Sequence, residues 1–271
     1  MIAEDAFAMI IGAMKSGTTT LYAYLYRHHQ ICPCRVKEPD FFLDQRAVDS
    51  TGSRYEDLWE FDDSVHRIAL EASTGYTKYP LMSGVPERIA DYGLRPKFIY
   101  ILRDPFERIE SHYNSTRRAA HRRPILHEHL INTSNYYMQL ERYRRLFRKD
   151  RFLLLDFKQL KENPEHVMEK ACRFLEVDYF QLPERALHEN PTPYHSGAQR
   201  FYGRLIQRTG LRNPLPGRIK RIARKILGLV LPSRKRFLTP EEREIIRKRL
   251  GPDMKRLRKE YGVDVRQWGF S

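Results

Sequence analysis

Near the start of the chain, Phe7-Ala-Met-Ile-Ile-Gly12-Ala-Met-Lys15-Ser16-Gly17-Thr18-Thr19-Thr20-Leu21 fixes what this sequence can fold into. Phe7 to Ile11 is a short, apolar run with no alternation. That is the pattern of a strand buried on both faces, as in a parallel sheet. A glycine-punctuated loop follows, and then Leu21, Tyr24 and Leu25 recur at helical spacing, with Thr18 or Thr19 as the expected N-cap. A strand, a glycine loop and a helix N-terminus make a phosphate site: loop amides converge, and both the helix dipole and Lys15 favour an anion. A glycine turn beside a solvated lysine is the plain alternative.

The loop is not the nucleotide-triphosphatase type, which needs Gly-Lys followed by Ser or Thr after the four intervening residues. Gly12 and Gly17 have the required spacing, but Thr18 stands where that lysine belongs. The lysine lies two residues before the second glycine instead.

Further along, Ile31–Val36 reads as a short strand and leads into Lys37-Glu38-Pro39-Asp40-Phe41-Phe42. Pro39 biases Glu38 toward an extended backbone, and the aromatic pair should anchor the loop. A carboxylate held beside a lysine on a rigid loop is a general-base candidate. Taken alone, a surface Lys-Glu pair is the simpler reading. Trp59 and Phe61 are expected packing anchors in the polar stretch before Ile68–Ser73, which reads as a second buried strand ending in the turn Ser73-Thr74-Gly75-Tyr76. A helix over Val85–Tyr92 follows. Lys97–Leu102 is the clearest strand, and it runs into Arg103-Asp104-Pro105 and a helix carrying Arg108, Ser111 and His112. Arg103 at the strand exit and Ser111 two turns along can meet one anion. The plain alternative is an Arg-Asp turn and an ordinary helix serine. A basic helix with Arg117, Arg118, Arg122 and Arg123 precedes Pro124. Ser134–Phe147 reads as an amphipathic helix with Tyr137, Leu140, Tyr143 and Phe147 on one side. Phe152–Phe157 is a further strand, and Pro164–Leu175 a helix ending near Glu176. Strands alternating with helices predict an α/β fold, a three-layer arrangement with a mostly parallel central sheet and a P-loop-like phosphate-binding loop.

The 271 residues suit one domain, 1–271, with 190–271 as a basic, helical C-terminal extension. The formal charge of +15 points to anionic partners. Much of it sits in 190–240, which has twelve Lys/Arg and no Asp or Glu. Within it, 218–231 mixes basic and apolar residues at helical spacing. Such a helix can lie on an anionic membrane, wall an anionic acceptor, or simply pack with a solvated basic face. Thr239-Pro240-Glu241-Glu242 is a capping box for a last helix. Three cysteines exclude a disulfide framework, and Cys32-x-Cys34 is not a zinc spacing. Cys172 belongs to an apolar helix face. No apolar run reaches membrane-spanning length, and a strand at Phe7 leaves no room for a signal peptide. A cytoplasmic location, with peripheral membrane contact through 218–231 as an option, is therefore the expectation.

Together the blocks Gly12–Thr19, Lys37–Phe42, Glu71-Ala-Ser73-Thr-Gly-Tyr76 and Leu102-Arg103-Asp104-Pro105 through Arg108 to Ser111 resemble the sulfotransferases that use 3′-phosphoadenosine 5′-phosphosulfate (PAPS). The similarity is strongest to the carbohydrate branch that includes heparan sulfate sulfotransferases. Weaker matches are Asn190–Arg200 and the closing Leu238–Trp268. The resemblance implies sulfuryl transfer from PAPS, without a metal, to an acceptor hydroxyl or amine, leaving 3′,5′-ADP. In that scheme Lys15 and Glu38 are catalytic, Glu38 as base. Lys15, Ser16, Gly17, Thr18 and Thr19 hold the 5′-phosphate, and Arg103 and Ser111 hold the 3′-phosphate. Lys37 or Ser73 steadies the sulfuryl oxygens. The heparan sulfate branch often has a late Lys-Gly loop; here Pro193–Arg200 lacks that lysine, and Arg200 is the substitute contact. Where the small-molecule branch places a histidine base, this chain has Ser73-Thr74-Gly75. Two alternatives stay open. One is a P-loop kinase or other nucleotide-binding phosphotransferase. The other is a non-enzymatic binder of anionic partners through the basic segment, although few aromatics there argue against specific nucleic-acid binding.

Overall fold

The computed structural model describes residues 2–43, 54–116, 124–183 and 235–271. The expectations on Arg117–Arg123, on Arg200 and on 218–231 lie outside the described residues.

All six residues of β1 (Phe7–Gly12) are buried, which only the middle of a sheet permits. Around it stand β2 (Ile31–Pro33), β3 (Ile68–Ala72), β4 (Lys97–Leu102) and β5 (Phe152–Asp156), all parallel, in the order β2-β3-β1-β4-β5. Register pairs Met9 with Glu71 on one side and Phe98 on the other. Alternation then sorts the strands into two cores. Phe7, Met9, Ile11, Phe98 and Tyr100 face α2 (Val85–Asp91), α5 (Tyr136–Arg144) and α8 (Pro240–Tyr261). Ala8, Ile10, Ile99 and Ile101 face α1 (Thr18–Leu25) and α7 (Pro164–Leu175). This is the expected three-layer α/β architecture. The remaining helices are α3 (Pro105–Thr116), α4 (Glu128–Asn132) and α6 (Phe157–Glu162). No helix among the described residues is long and apolar enough to cross a membrane.

Several local signals act as anticipated. α7 runs Pro164–Leu175 and stops at a left-handed Glu176 (φ 60°). Thr239 and Glu242 exchange capping bonds at the start of α8, 3.2 and 2.9 Å. Cys32, Cys34 and Cys172 are all buried. Other expectations need correction. The strand after α1 covers only Ile31–Pro33: the Cys34 amide still donates to the Leu70 carbonyl of β3 at 2.8 Å, but the Arg35 amide turns away to the Leu58 carbonyl at 2.9 Å. The helix expected over Ser134–Phe147 runs Tyr136–Arg144 and buries Tyr136, Gln139, Leu140 and Tyr143. Tyr137 turns outward to Glu260 (2.9 Å) instead. The start of α5 is held from outside by Asp253 of α8, which accepts from the Tyr137 and Met138 amides at 3.0 and 2.8 Å.

The chain runs from β1 to β2 at one edge of the sheet and from β4 to β5 at the other, so it diverges between the adjacent strands β1 and β4. The crevice above the C-terminal ends of the strands opens at this point. The candidate residues gather along this edge.

Candidate active site

The loop after β1 is tied down at both ends. The Ala13 amide donates to the Ile101 carbonyl of β4 at 2.9 Å, and the Ser16 amide to the Ala13 carbonyl at 3.1 Å. Lys15 and Gly17 both take the left-handed backbone, φ 72° and 82°. Gly17 is the N-cap of α1, and no side chain caps the helix, so the expected Thr18 or Thr19 cap is not formed. The reason is steric: a Cβ on Gly17 would lie 2.8 Å from the Phe157 ring, so only glycine makes this turn. The amides of Gly17, Thr18 and Thr19 therefore precede the first intrahelical bonds, from Thr20 and Leu21 to the Gly17 carbonyl. The Ser16 side chain is fully buried beneath them, and among the described residues its hydroxyl has no hydrogen-bond partner. A buried hydroxyl is costly to leave unpaired, so a site completed by a ligand oxygen explains it.

Two arginines hold the loop from behind. Arg103, at the exit of β4, donates from Nη1 to the Lys15 carbonyl at 2.9 Å. Its Nε and Nη2 meet Glu107 Oε2 at 3.2 and 2.9 Å, and its guanidinium lies 4.6 Å from the Phe157 ring centre. Three of its five N–H donors are thus used. Arg108 is wholly buried. It donates to Ser134 Oγ (2.5 Å), to the Leu130 carbonyl and, weakly, to the Met14 carbonyl of the loop (3.5 Å). Its Nη1 also faces His112 Nδ1 at 3.2 Å. A guanidinium only donates, so Nδ1 accepts and the ring proton sits on Nε2. Burial, reinforced by Arg108, pushes the His112 pKa down to about 2. Ser111 is half-buried on α3 between these residues, and among the described residues no hydrogen bond joins it to Arg103.

The loop carrying Glu38 docks on the same edge. Lys37 Nζ donates to Thr19 Oγ1 at 2.6 Å, joining this loop to the start of α1. Glu38 Oε1 accepts from Thr74 Oγ1 at 3.3 Å, in the turn that follows β3. The extended backbone expected for Glu38 is overturned: its φ is 54°, and Asp40 follows at 53°. Tertiary bonds override the proline bias, since the Asp40 amide donates to Ser73 Oγ (3.1 Å) and the Phe42 amide to the Tyr76 hydroxyl (3.3 Å).

Two residues shape this site that the sequence gives no role. Phe157 begins α6 and packs against both Gly17 and Arg103, yet reads in the sequence as one more strand aromatic. Glu71 is fully buried in β3, where it accepts from Tyr55, Ser73 and Tyr76. Burial lifts its carboxyl pKa to about 7 against the pull of those bonds. A lone charge inside the apolar Ile68–Ala72 was its available signal.

The family model of the sulfotransferase domain matches residues 5–189, more than half of the chain, and the chain belongs to that family. A mouse protein, bifunctional heparan sulfate N-deacetylase/N-sulfotransferase 4, is 24% identical over 197 residues. That alignment takes in 62% of this chain and 22% of the mouse protein, so the chain spans about a fifth of that relative's length. Among solved structures, a sulfotransferase from Alicyclobacillus acidocaldarius superposes with a TM-score of 0.66 at 21% identity, covering 98% of this chain and 99% of that one. This likeness establishes the shared fold.

Proposed function

We propose that the chain transfers a sulfuryl group from PAPS to an acceptor hydroxyl or amine on a carbohydrate or glycoconjugate. The observation that carries this reading is the Gly12–Thr19 loop. It has a buried Ser16 hydroxyl at its base, without a partner among the described residues, leading helix amides above it, and Arg103 bonded to its Lys15 carbonyl. Those groups fit a phosphate. Family membership favours sulfuryl transfer over the phosphotransferase alternative.

PAPS supplies the sulfuryl group and departs as 3′,5′-ADP. The amides of Gly17, Thr18 and Thr19 hold the 5′-phosphate; Ser16 contributes its hydroxyl, because its amide is spent on Ala13. Lys15 neutralises the charge that grows on the leaving oxygen. Arg103 keeps two donors for the 3′-phosphate, assisted by Ser111 and by Arg200. Glu38 accepts the acceptor's proton as the new S–O or S–N bond forms, and Thr74 fixes its carboxylate. The mouse relative's name motivates the carbohydrate acceptor. A cytoplasmic location with membrane contact through 218–231 belongs to the same proposal, and sedimentation with anionic vesicles tests it.

The test is transfer from radiolabelled PAPS to a panel of desulfated glycosaminoglycan, lipid-linked sugar and tyrosyl peptide. Label should enter a carbohydrate. Glu38→Gln should cut turnover about 10²–10⁴-fold, the usual worth of a general base, and Lys15→Ala should also reduce it sharply. Near-normal turnover of Glu38→Gln removes the base assignment, and label only in the peptide removes the carbohydrate.

A further inference from the structure

We infer that Glu71 is a positioning residue for the Glu38 loop, acting through two hydroxyl relays. The inference rests on the reading of Glu38 as the base.

Ser73 Oγ donates to Glu71 Oε2 at 2.7 Å and accepts from the Asp40 amide at 3.1 Å. Tyr76 OH donates to Glu71 Oε1 at 3.1 Å and accepts from the Phe42 amide at 3.3 Å. Tyr55 OH closes the carboxylate at 2.5 Å. Both relays have the same polarity. Once ionised, above its pKa of about 7, the Glu71 carboxylate only accepts and turns each hydroxyl proton inward, so each hydroxyl offers a lone pair outward to a loop amide. An apolar residue at this position would leave both hydroxyls free to reverse and to lose the amides. The grip falls on alternate residues, two and four positions past Glu38.

The loop needs such a grip. Glu38 and Asp40 both hold positive φ without being glycine, a conformation that persists only where the surroundings impose it. The turn bearing Ser73 also lies against the loop. A Cβ on Gly75 would come within 2.7 Å of Leu43 Cδ1 and 3.0 Å of Asp40 Oδ1. Contact, hydrogen bonding and backbone strain therefore converge on the same six residues, 38–43, and Glu71 is the acceptor on which both relays end. A charge buried in the middle of a strand is expensive; here it organises the loop that carries the proposed base.

Site-resolved amide hydrogen exchange on the full chain, at a pH above the Glu71 pKa of about 7, tests the relays. Ser73→Ala should speed exchange of the Asp40 amide about tenfold, the usual consequence of losing one such bond, and Ser73→Thr should restore it. Tyr76→Phe should do the same at Phe42. Glu71→Gln should speed both, with Ile10 and Ile99 in the central strands unchanged and the affinity for 3′,5′-ADP retained. Wild-type rates at Asp40 and Phe42 in these variants would overturn the inference, as would acceleration only in step with Ile10 and Ile99. If Glu71→Gln does not fold, the Ser73 and Tyr76 variants decide. Exchange reads the relays whatever Glu38 does, whereas turnover of Glu38→Gln reads the base, so the two failures are separable.

Discussion

Glu71 should make stability depend on pH in a direction opposite to that of ordinary carboxylates. Its pKa rises from the usual 4.5 to about 7 because it is fully buried, although Tyr55, Ser73 and Tyr76 donate to it; the nearby Asp40 carboxylate adds to the rise. Between those two pH values the folded chain retains a proton that the unfolded chain has released. The contribution is therefore complete below pH 4.5, is lost as pH climbs toward 7, and is constant above that. At about 1.4 kcal/mol per tenfold change in ionisation, the swing is about 3 kcal/mol. Asp253, raised to about 6 by burial, acts in the same direction. His112 acts the other way: its folded pKa is depressed from 6.5 to about 2, so its contribution is complete above 6.5 and lost as pH falls. Both groups persist in Glu71→Gln, which removes the Glu71 titration alone. Urea denaturation of both proteins, followed by tryptophan fluorescence from about pH 4.5 to about pH 8, isolates the effect. The stability of Glu71→Gln relative to wild type should improve by about 3 kcal/mol across that range. Parallel curves would refute the reasoning.

Gly17→Ala should destabilise the fold by about 2–5 kcal/mol, adding left-handed strain to a clash with Phe157. Denaturation should show the loss, and Phe157→Ala in the same chain should recover part of it. Arg108→Ala should cost about 3–5 kcal/mol, because it opens a cavity and leaves Ser134 and the Leu130 carbonyl without their donor. Arg108→Lys should not restore the loss in the same denaturation assay, since one ammonium cannot span those separated acceptors.

What was legible in the sequence follows from where each signal resides. Phe7–Gly12 and Lys97–Leu102 are apolar without alternation, and burial on both faces of a parallel sheet is the physical consequence of that pattern. The capping box of Thr239 and Glu242 acts within three residues, so local reading suffices. The Gly12–Thr19, Glu38 and Arg103 segments were recognisable individually. Their meeting was not, since Arg103 reaches the Lys15 carbonyl across 88 residues of chain. The same limit hid the φ of Glu38. Its local proline bias favours an extended backbone, and only Ser73 and Tyr76, distant in sequence, reverse it. Glu71 looks like an interruption of an apolar strand until three hydroxyls from two other turns surround it.

The most direct test of the proposed site is calorimetric titration with 3′,5′-ADP, using 5′-ADP and ATP with magnesium for comparison. 3′,5′-ADP should bind tightest. Arg103→Ala should weaken it about ten- to a hundredfold, the worth of charged hydrogen bonds to one phosphate, and should affect 5′-ADP much less. Equal affinity for 3′,5′-ADP and 5′-ADP, or preference for ATP with magnesium, would contradict the assignment of this edge of the sheet as a PAPS site.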